Sequence, residues 1–334
     1  MDRPNVVVLA LGGTIAMSPG AGDGVVPTLD ADSLVAAVPQ LAAIARVEAR
    51  SFRQLPGAHL LFDDLEELAG AIHELSAQGC RGVVVTQGTD TIEESAFALD
   101  RLLDIEMPVI VTGAMRNPSL AGADGPANLL AAVQVAISDE ARSQGCLVVM
   151  NDEVHAARFV RKLHTTSPAA FGSPLAGPLG WVSEGRPRFG TRLPRIAAIP
   201  PAPTREARVG LVTIALGDDG AHIRALLELG VDGLVVAATG GGHVRPEVAD
   251  ILEAAAGRIP VVLASRTGAG ETLERTYGFP GSEIDLLRRG LIRAGWLDGL
   301  KARILLTLLL RRAIATSDAV ARAFEAWDGG TLGH

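Results

Sequence analysis

The sequence predicts an α/β protein with a larger N-terminal parallel-sheet domain of Rossmann-like type and a smaller C-terminal α/β domain. Its 334 residues exceed what one hydrophobic core usually serves. Short apolar, β-branched runs alternate with amphipathic segments, which is typical of buried parallel strands between helices. Aromatic residues make up only 4% of the chain, so Ala, Val, Leu and Ile must fill the core.

The first half of the chain supplies most of this alternation. Four runs predict strands: NVVVLAL from residue 5, GVVVTQG from 82, PVIVTGA from 108 and GCLVVMND from 145. Four segments predict helices: DADSLVAAVPQLAAIA from residue 30, FDDLEELAGAIHELSAQG from 62, IEESAFALDRLL from 92 and GADGPANLLAAVQVAIS from 122. We expect the first helix to be capped near Asp32 or Ser33. The second should end on Gly79, because glycine suits the left-handed cap of a helix.

The alternation stops after Asp152 and resumes near residue 208. Residues 165–205 are rich in Pro, Gly, Ser, Thr and Arg, and RLPRIAAIPPAPTREAR is interpreted as a linker. The predicted domains are therefore 1–190 and 208–334, joined by a linker over 191–207. In the second half, strands are predicted at RVGLVTIAL, GLVVAATGGG and PVVLASRTG, and helices at GAHIRALLELG, RPEVADILEAAAG and LKARILLTLLLRRA.

Charge and hydropathy limit the classes of partner. The net charge is −8 and no block of Lys or Arg occurs, which argues against nucleic acid and against an anionic membrane surface. No apolar run reaches the roughly 18 residues that a membrane span needs. The apolar run near the N-terminus is short and leads into a glycine turn, so it predicts a strand rather than a signal peptide. We expect a cytoplasmic protein whose partner is a small molecule or a second copy of itself.

Cysteine and histidine patterns give no metal site. Cys80 and Cys146 are too few for a disulfide framework or a four-cysteine zinc site, and both are interpreted as buried thiols. The histidines show no ligand spacing.

The phosphate-binding patterns GxGxxG and GxxxxGK[ST] are missing, which argues against a dinucleotide-dependent enzyme. The catalytic patterns GxSxG and HExxH are missing as well.

Short segments that contain glycine follow three of the predicted strands at the point where each strand ends, and two of these segments also carry polar side chains. The segments are Gly12-Gly13-Thr14, Gln87-Gly88-Thr89-Asp90-Thr91 and Gly113-Ala114-Met115. Carboxyl ends of parallel strands line one edge of a sheet, where ligands bind, so Thr14, Thr89 and Asp90 should share that edge. The alternative is local: Thr14 serves as a turn former, and Asp90 or Thr91 caps the next helix.

Several motifs together resemble the bacterial-type L-asparaginase family, which includes glutaminases. They are LGGTIA, TQGTDTIEESA, PVIVTGAMR followed by ADGPANL, VVMNDEVHAAR, and YGFPGSE before KARILL. The two threonine motifs come in the order and at the separation typical of that family, and the resemblance covers nearly the whole chain. It implies an asparaginase-like fold and hydrolysis of the side-chain amide of asparagine, or of a related small amide, with no metal or organic cofactor.

The resemblance also implies roles for particular residues. Thr14 is the expected nucleophile, and Thr89, Asp90 and Lys162 form a second group that moves protons, because a threonine hydroxyl is a poor nucleophile until its proton is removed. Lys162 lies in RFVRKLHTT, and its alternative is an exposed cation beside Arg158 and Arg161.

Substrate binding is expected from both domains. The expected contributors are Gly57, Gly88, Asp90, Ala114, His243 and Glu271. Asp90 would hold the substrate ammonium group, and backbone N–H groups near Thr14 and Thr89 would stabilise the oxyanion. His243 and Glu271 would come from a neighbouring subunit of a homotetramer built from tight dimers. The alternative for Glu271 is a solvated loop carboxylate.

Two features of the family pattern are missing. The loop MSPGAGDGVVPTLD, a predicted lid, has no tyrosine, and the only tyrosine of the chain is Tyr277. LPGAHLLFDDL has Gly57 at about the place of a carboxylate-binding serine. Three outcomes stay open: weak activity on asparagine, a substitute residue, or a different amide. A non-catalytic amino-acid binder is the competing class.

Overall fold

The computed structural model describes residues 3–19, 25–27, 30–202 and 204–327, and the side chains of 16–19 and 25–27 are outside that description. The chain separates into two compact units, Met1–Ala198 and Ile199–His334. The division lies inside residues 191–207, which the composition assigns to a linker.

The first unit contains twelve strands and five helices among its described residues. In chain order the strands are β1 (Asn5–Ala10), β2 (Met17–Pro19), β3 (Val25–Pro27), β4 (Arg46–Ser51), β5 (Gly82–Thr86), β6 (Val109–Thr112), β7 (Cys146–Met150), β8 (Glu153–Ala156), β9 (Arg161–Lys162), β10 (Phe171–Gly172), β11 (Gly180–Ser183) and β12 (Arg186–Phe189). The helices are α1 (Ala31–Ala36), α2 (Leu41–Ile44), α3 (Phe62–Ala77), α4 (Ile92–Leu102) and α5 (Gly125–Ala136).

Eight of these strands form the main sheet, in the order β12-β11-β8-β7-β6-β5-β1-β4. Five neighbouring strands of this sheet are parallel, as the alternating pattern predicts: β7, β6, β5, β1 and β4. Strands β8, β11 and β12 add an antiparallel extension. The chain reverses between β7 and β8 at Asn151 and Asp152, whose φ angles are 52° and 62°. Asn and Asp tolerate this left-handed conformation, which suits a two-residue hairpin.

The core of the first unit lies on the central strands. β5, β6 and β7 are buried at every position, as their continuous apolar sequences require. Helix α4 is also buried nearly all round. Strand β4, at the sheet edge, was not predicted, because exposed Arg46, Glu48 and Arg50 interrupt its apolar residues.

The helix predicted from residue 30 is two helices. α1 ends at Ala36, and Pro39 lies before α2 begins at Leu41. The predicted cap at Asp32 or Ser33 is wrong, because Asp30 is the capping residue and its side chain accepts a hydrogen bond from the Ser33 N–H. The predicted end of the next helix is confirmed: α3 ends at Ala77, and Gly79 has a φ of 78°.

The second unit is a smaller α/β unit. Its strands are β13 (Val209–Thr213), β14 (Gly233–Ala238), β15 (Val261–Ser265) and β16 (Ile292–Arg293), and its helices are α6 (Ala221–Glu228), α7 (Pro246–Ala256), α8 (Glu283–Arg288), α9 (Gly299–Arg311) and α10 (Ser317–Glu325). The strands form one parallel sheet in chain order. The short elements β16 and α8 and the helix α10 were not predicted. No helix within the described residues is long and apolar enough to cross a membrane.

Candidate active site

Three glycines bring the ends of neighbouring strands into backbone contact. A Cβ atom placed on Gly13 would lie 2.0 Å from the Gly88 nitrogen, and one on Gly57 would lie 2.8 Å from the Gly88 carbonyl oxygen. Gly13 also has a φ of 83°, which favours glycine. The loops after β1, β4 and β5 therefore meet at one point on the carboxyl edge of the sheet.

Two of the predicted threonines begin short 3₁₀ turns beside this contact. One turn is Thr14–Ala16 and the other is Thr89–Thr91. Each threonine directly follows one of the touching glycines, Gly13 or Gly88. Thr14 is half-buried and Thr89 is buried.

Lys162 reaches this edge from a distant part of the chain. Its Nζ donates hydrogen bonds to Thr89 Oγ1 at 2.9 Å and to Asp90 Oδ1 at 2.8 Å. The lysine side chain is only 15% exposed, whereas that of Asp90 is 67% exposed. Lys162 is therefore not the freely exposed cation of the alternative interpretation. Thr89, Asp90 and Lys162 are in direct contact, and Thr14 adjoins them through the Gly13–Gly88 contact.

The capping alternative does not describe the polar residues of this turn. Thr91 occupies the N-cap position of α4, yet its side chain makes no capping hydrogen bond. Its Oγ1 donates instead to the Gly57 carbonyl oxygen at 2.9 Å. The Asp90 carboxylate accepts from Lys162. These side chains tie loops together rather than begin a helix.

Gln87 supports the turn from inside the protein. It is fully buried at the end of β5, and its Nε2 donates to Ser95 Oγ at 3.1 Å and lies 3.4 Å from Thr91 Oγ1. This supporting role was not predicted. An amide at the end of an apolar strand is the one sequence signal that could have indicated it.

The third strand end lies against the same group. A Cβ atom on Gly113 would lie 3.2 Å from Thr89 Cγ2, and Ala114 is fully buried. The loop is held by Asp124, which accepts from the N–H groups of Met115 and Arg116, and by Asn128 Nδ2, which donates to the Gly113 carbonyl at 3.0 Å. Asp124 and Asn128 belong to the motif ADGPANL, but their supporting roles were not predicted.

Comparison with known proteins identifies the family of the chain. The model "Asparaginase, N-terminal" matches residues 5–195, and "Glutaminase/Asparaginase C-terminal domain" matches residues 208–324. The chain belongs to the asparaginase family. The family resemblance and the asparaginase-like α/β fold expected from the motifs are thus confirmed.

Individual members of the asparaginase family match over nearly their whole length. A "Probable L-asparaginase" of Deinococcus radiodurans is 38% identical over 94% of this chain and 95% of its own length. "L-asparaginase 2" of Escherichia coli K12 is 35% identical over 92% of this chain and 89% of its own length. The crystal structure of a probable cytoplasmic L-asparaginase from Campylobacter jejuni has a TM-score of 0.85 at 32% identity and covers 97% of this chain and 99% of that chain.

Two residues expected to bind substrate lie in the second unit of this asparaginase-family chain. His243 Nε2 lies 3.1 Å from Glu283 Oε2, and its ring packs edge-on against Tyr277 and Phe279. Glu271 accepts a hydrogen bond from Arg293 at 2.8 Å and is 36% exposed. The binding roles of His243 and Glu271 stay predictions.

The carboxylate beside His243 is held ionised by its surroundings. Burial alone would raise the pKa of Glu283, but hydrogen bonds from the N–H groups of Tyr277 and Thr276 and from His243 hold that pKa below its usual value. Glu283 therefore keeps a negative charge beside His243 at neutral pH.

The predicted lid MSPGAGDGVVPTLD includes residues 20–24, 28 and 29, which lie outside the described residues.

Within the part of the chain that the structure describes, no group of three or more His, Cys, Asp or Glu residues is arranged to hold a metal ion.

Proposed function

We propose that this chain hydrolyses the side-chain amide of L-asparagine, or of a closely related small amide, to the acid and ammonia through a threonine acyl-enzyme. One observation carries the proposal: Lys162 Nζ donates hydrogen bonds to both Thr89 and Asp90. This group lies beside the contact between Gly13 and Gly88 that directly precedes Thr14 in the chain. The names of the relatives, several of which are L-asparaginases and one a glutaminase-asparaginase, support the same reaction.

In the proposed first half-reaction, Thr14 Oγ attacks the amide carbon of the substrate. The hydroxyl proton passes to the Thr89–Lys162–Asp90 group as the C–O bond forms, and a tetrahedral oxyanion results. Backbone N–H groups at the glycine turns, that of Gly88 among them, stabilise this oxyanion, a contribution of about 3 kcal/mol per donor. Protonation of the amide nitrogen then breaks the C–N bond and releases ammonia, leaving an ester on Thr14.

In the proposed second half-reaction, water replaces the threonine. Thr89, Lys162 and Asp90 form the relay that moves the protons of these steps, since Lys162 is hydrogen-bonded to both of the other residues. Water attacks the ester, the C–O bond to Thr14 breaks, and the proton returns to the Thr14 hydroxyl. The acid product then leaves.

The substrate is held by groups on the same edge. Asp90 is exposed enough to take the substrate ammonium group while one of its oxygens contacts Lys162. Ala114 lies against the scissile amide, and Gly57 offers its backbone N–H to the substrate carboxylate. No cofactor is required by these steps.

A different small amide is the second candidate substrate, and one observation favours it. Gly57 packs so closely on Gly88 that a serine there would clash with backbone, so the serine hydroxyl of the family pattern has no room at this position. The side chains that the turn presents to solvent are those of Ala58 and His59. A substrate without an α-carboxylate would not need the missing hydroxyl.

The test is ammonia release from a panel of amides. Purified protein is incubated with asparagine, glutamine and small amides lacking the α-carboxylate, and ammonia is measured. We expect release from asparagine or another panel member, and loss of that release in Thr14→Ala with an unchanged unfolding midpoint. A folded protein that releases no ammonia yet binds aspartate by calorimetry would establish the non-catalytic binder instead.

We also propose a homo-oligomer, a dimer or tetramer, in which His243 and Glu271 complete the site of a neighbouring subunit. Light scattering gives the assembly. Mixing inactive Thr14→Ala with inactive Glu271→Ala subunits should restore part of the activity, because some mixed sites contain no substitution. Activity that stays absent after subunit exchange would contradict shared sites.

A cytoplasmic location is proposed from the similarity to the Campylobacter jejuni protein, which is named a probable cytoplasmic enzyme. A relative from Haemophilus influenzae is named as periplasmic, so the family name alone does not decide the compartment. Fractionation of the native organism, followed by immunodetection, tests the location.

A further inference from the structure

A buried histidine outside the proposed relay joins the main sheet to the segment that carries Lys162. His155 lies on β8 and is fully buried, and its Nδ1 is 3.0 Å from Ser173 Oγ. Ser173 is also buried, at 7% exposure. A hydrogen bond between two buried side chains holds the segments that bear them at a fixed separation.

Ser173 directly follows the strand that pairs with Lys162. The two-residue strands β9 and β10 are antiparallel, with Lys162 opposite Phe171, and the Leu163 N–H donates to the Ala170 carbonyl at 2.7 Å. This pair is a separate two-stranded sheet and is not part of the ladder of the eight-stranded sheet. Side-chain contacts must therefore contribute to holding the β9–β10 hairpin in place.

The surroundings of His155 favour one of its two neutral tautomers. Its Nε2 lies 3.3 Å from Glu153 Oε2, and an ionised carboxylate can only accept. A hydrogen on Nε2 avoids placing a lone pair against this carboxylate, although the two groups form no hydrogen bond, and in that tautomer Nδ1 accepts from the Ser173 hydroxyl. Burial lowers the pKa of His155 to about 4, so the ring is neutral at neutral pH and Nδ1 keeps its lone pair.

We propose that His155 and Ser173 are positioning residues for Lys162: their hydrogen bond fixes the β9–β10 hairpin to the main sheet and so sets the place of Lys162 Nζ beside Thr89 and Asp90. The inference rests on the proposed function for its catalytic consequence. Neither residue touches the reacting atoms.

Loss of the hydrogen bond between His155 and Ser173 should lower the catalytic rate. Without the bond the hairpin loses one of its attachments to the main sheet, beside backbone bonds such as that from the Val160 N–H to Ala156, and we expect the two hydrogen bonds of Lys162, at 2.9 and 2.8 Å, to lengthen. Misplacement of a catalytic group by about 1 Å can cost roughly 100-fold in rate. The loss should fall mainly on kcat, because the glycine turns and Ala114 do not belong to the hairpin.

Two matched pairs of variants separate positioning from bulk packing. His155→Leu and His155→Asn have side chains of the same shape, but only asparagine places a polar atom near the position of Nδ1. Ser173→Ala removes the hydroxyl that bonds His155 with little change of volume. Its control is Ser167→Ala, which makes the same change near the tip of the hairpin. There the serine hydroxyl accepts a hydrogen bond from the Ala169 N–H. We expect kcat to fall about 10- to 100-fold in His155→Leu and Ser173→Ala, and to stay within about threefold in the other two.

A second readout needs no amide hydrolysis. The chain has two lysines, Lys162 and Lys301, and Lys301 is 1% exposed and bonded to Asp298. Limited acetylation with acetic anhydride, followed by peptide mass spectrometry, measures each lysine separately. We expect Lys162 to react several-fold faster in His155→Leu and Ser173→Ala than in the wild type, with Lys301 unchanged and His155→Asn close to the wild type.

The outcomes are distinguishable. Equal Lys162 reactivity in all variants would overturn the positioning role, and a parallel rise at Lys301 would show general loosening instead. If His155→Leu does not fold, Ser173→Ala against Ser167→Ala still decides. If the wild type releases no ammonia, the proposed function fails, while the acetylation rates still report whether this bond holds Lys162.

Discussion

Gly57 and Gly88 pack backbone against backbone, so that a Cβ atom on either residue would overlap the main chain of the other. A Cβ atom on Gly57 would lie 2.8 Å from the Gly88 oxygen, and one on Gly88 would lie 2.6 Å from the Gly57 nitrogen. This contact brings the loop after β4 onto the turn that carries Thr89 and Asp90.

We therefore predict that Gly57→Ala destabilises the protein by about 2 kcal/mol or more, because the neighbouring atoms are backbone and cannot rotate away. Ammonia release should fall as well, since the turn at Thr89 has to move. Gly70→Ala is the control: Gly70 lies in α3 with open space around its Cα, and alanine should stabilise that helix by about 0.5–1 kcal/mol. Urea unfolding of both variants checks the pair. A neutral Gly57→Ala would contradict the contact.

Lys162→Met should reduce kcat about 100- to 10,000-fold, the range typical of a lost proton-transfer group. Methionine keeps much of the volume of the lysine chain but cannot donate to Thr89 or Asp90. The fold should persist, since Asp90 is 67% exposed and can be solvated when its partner is lost. Steady-state ammonia release and circular dichroism measure the two effects. The control is Arg116→Met, which removes a cation whose guanidinium donates to the Gly122 carbonyl in an exposed loop. Full activity of Lys162→Met would remove the relay from the mechanism.

The part of the site that sequence could predict is the part fixed by strand ends. Thr14, Thr89 and Ala114 follow apolar strands, and parallel strands bring their carboxyl ends to one edge. The place of Lys162 came only from the family resemblance, because β9 has two residues and no periodicity to reveal it. The bond between His155 and Ser173 joins residues 18 positions apart across an irregular segment, and no local pattern specifies such a pair.

The secondary structure, too, could be predicted only where a local sequence pattern specifies it. The strands predicted from continuous apolar runs, such as Gly82–Thr86, are present because burial on both faces demands that composition. Edge strand β4 carries charges that only its position in the sheet explains. The antiparallel extension begins at a hairpin through Asn151 and Asp152, and a two-residue turn leaves little trace in a pattern of alternating strands and helices.

His155 predicts a dependence of stability on pH. Its pKa is about 4 in the folded protein and about 6.5 when exposed, so the unfolded state binds more protons between these values. The unfolding free energy of the protein therefore falls as the pH drops from about 6.5 toward about 4. Outside this range the titration of His155 changes it no further. The total change is about 3 kcal/mol.

Urea unfolding of wild type and His155→Asn between pH 7.5 and 4.5 measures this effect. The difference in unfolding free energy between the two proteins should shrink on acidification, because asparagine does not titrate. Carboxylates that do not contact residue 155 contribute equally to both proteins and cancel in the difference, and Glu153, which lies 3.3 Å from His155 Nε2, is half-exposed. A difference that stays constant over this range would show that His155 is not buried in its neutral form.

Asp100 and Arg101 form a buried ion pair that includes no residue of the proposed relay. Asp100 is buried and is bonded to the buried Arg101, and its Oδ1 accepts from the Cys146 N–H at 3.0 Å. Burial alone would raise the pKa of Asp100, but Arg101 and Arg158 hold it below its usual value. Asp100→Asn removes the buried negative charge that faces these guanidinium groups, and we expect a loss of about 3–5 kcal/mol.

Asp139→Asn is the matched control for this substitution. Asp139 also pairs with an arginine, Arg81, but its side chain is 89% exposed, so water replaces the lost charge and the unfolding midpoint should barely move. Both variants should keep their rate of ammonia release per folded molecule, since neither aspartate touches the relay. Equal stability losses in the two variants would mean that burial does not determine the contribution of these pairs. A lowered kcat in folded Asp100→Asn would instead connect this ion pair to the chemistry at Thr14.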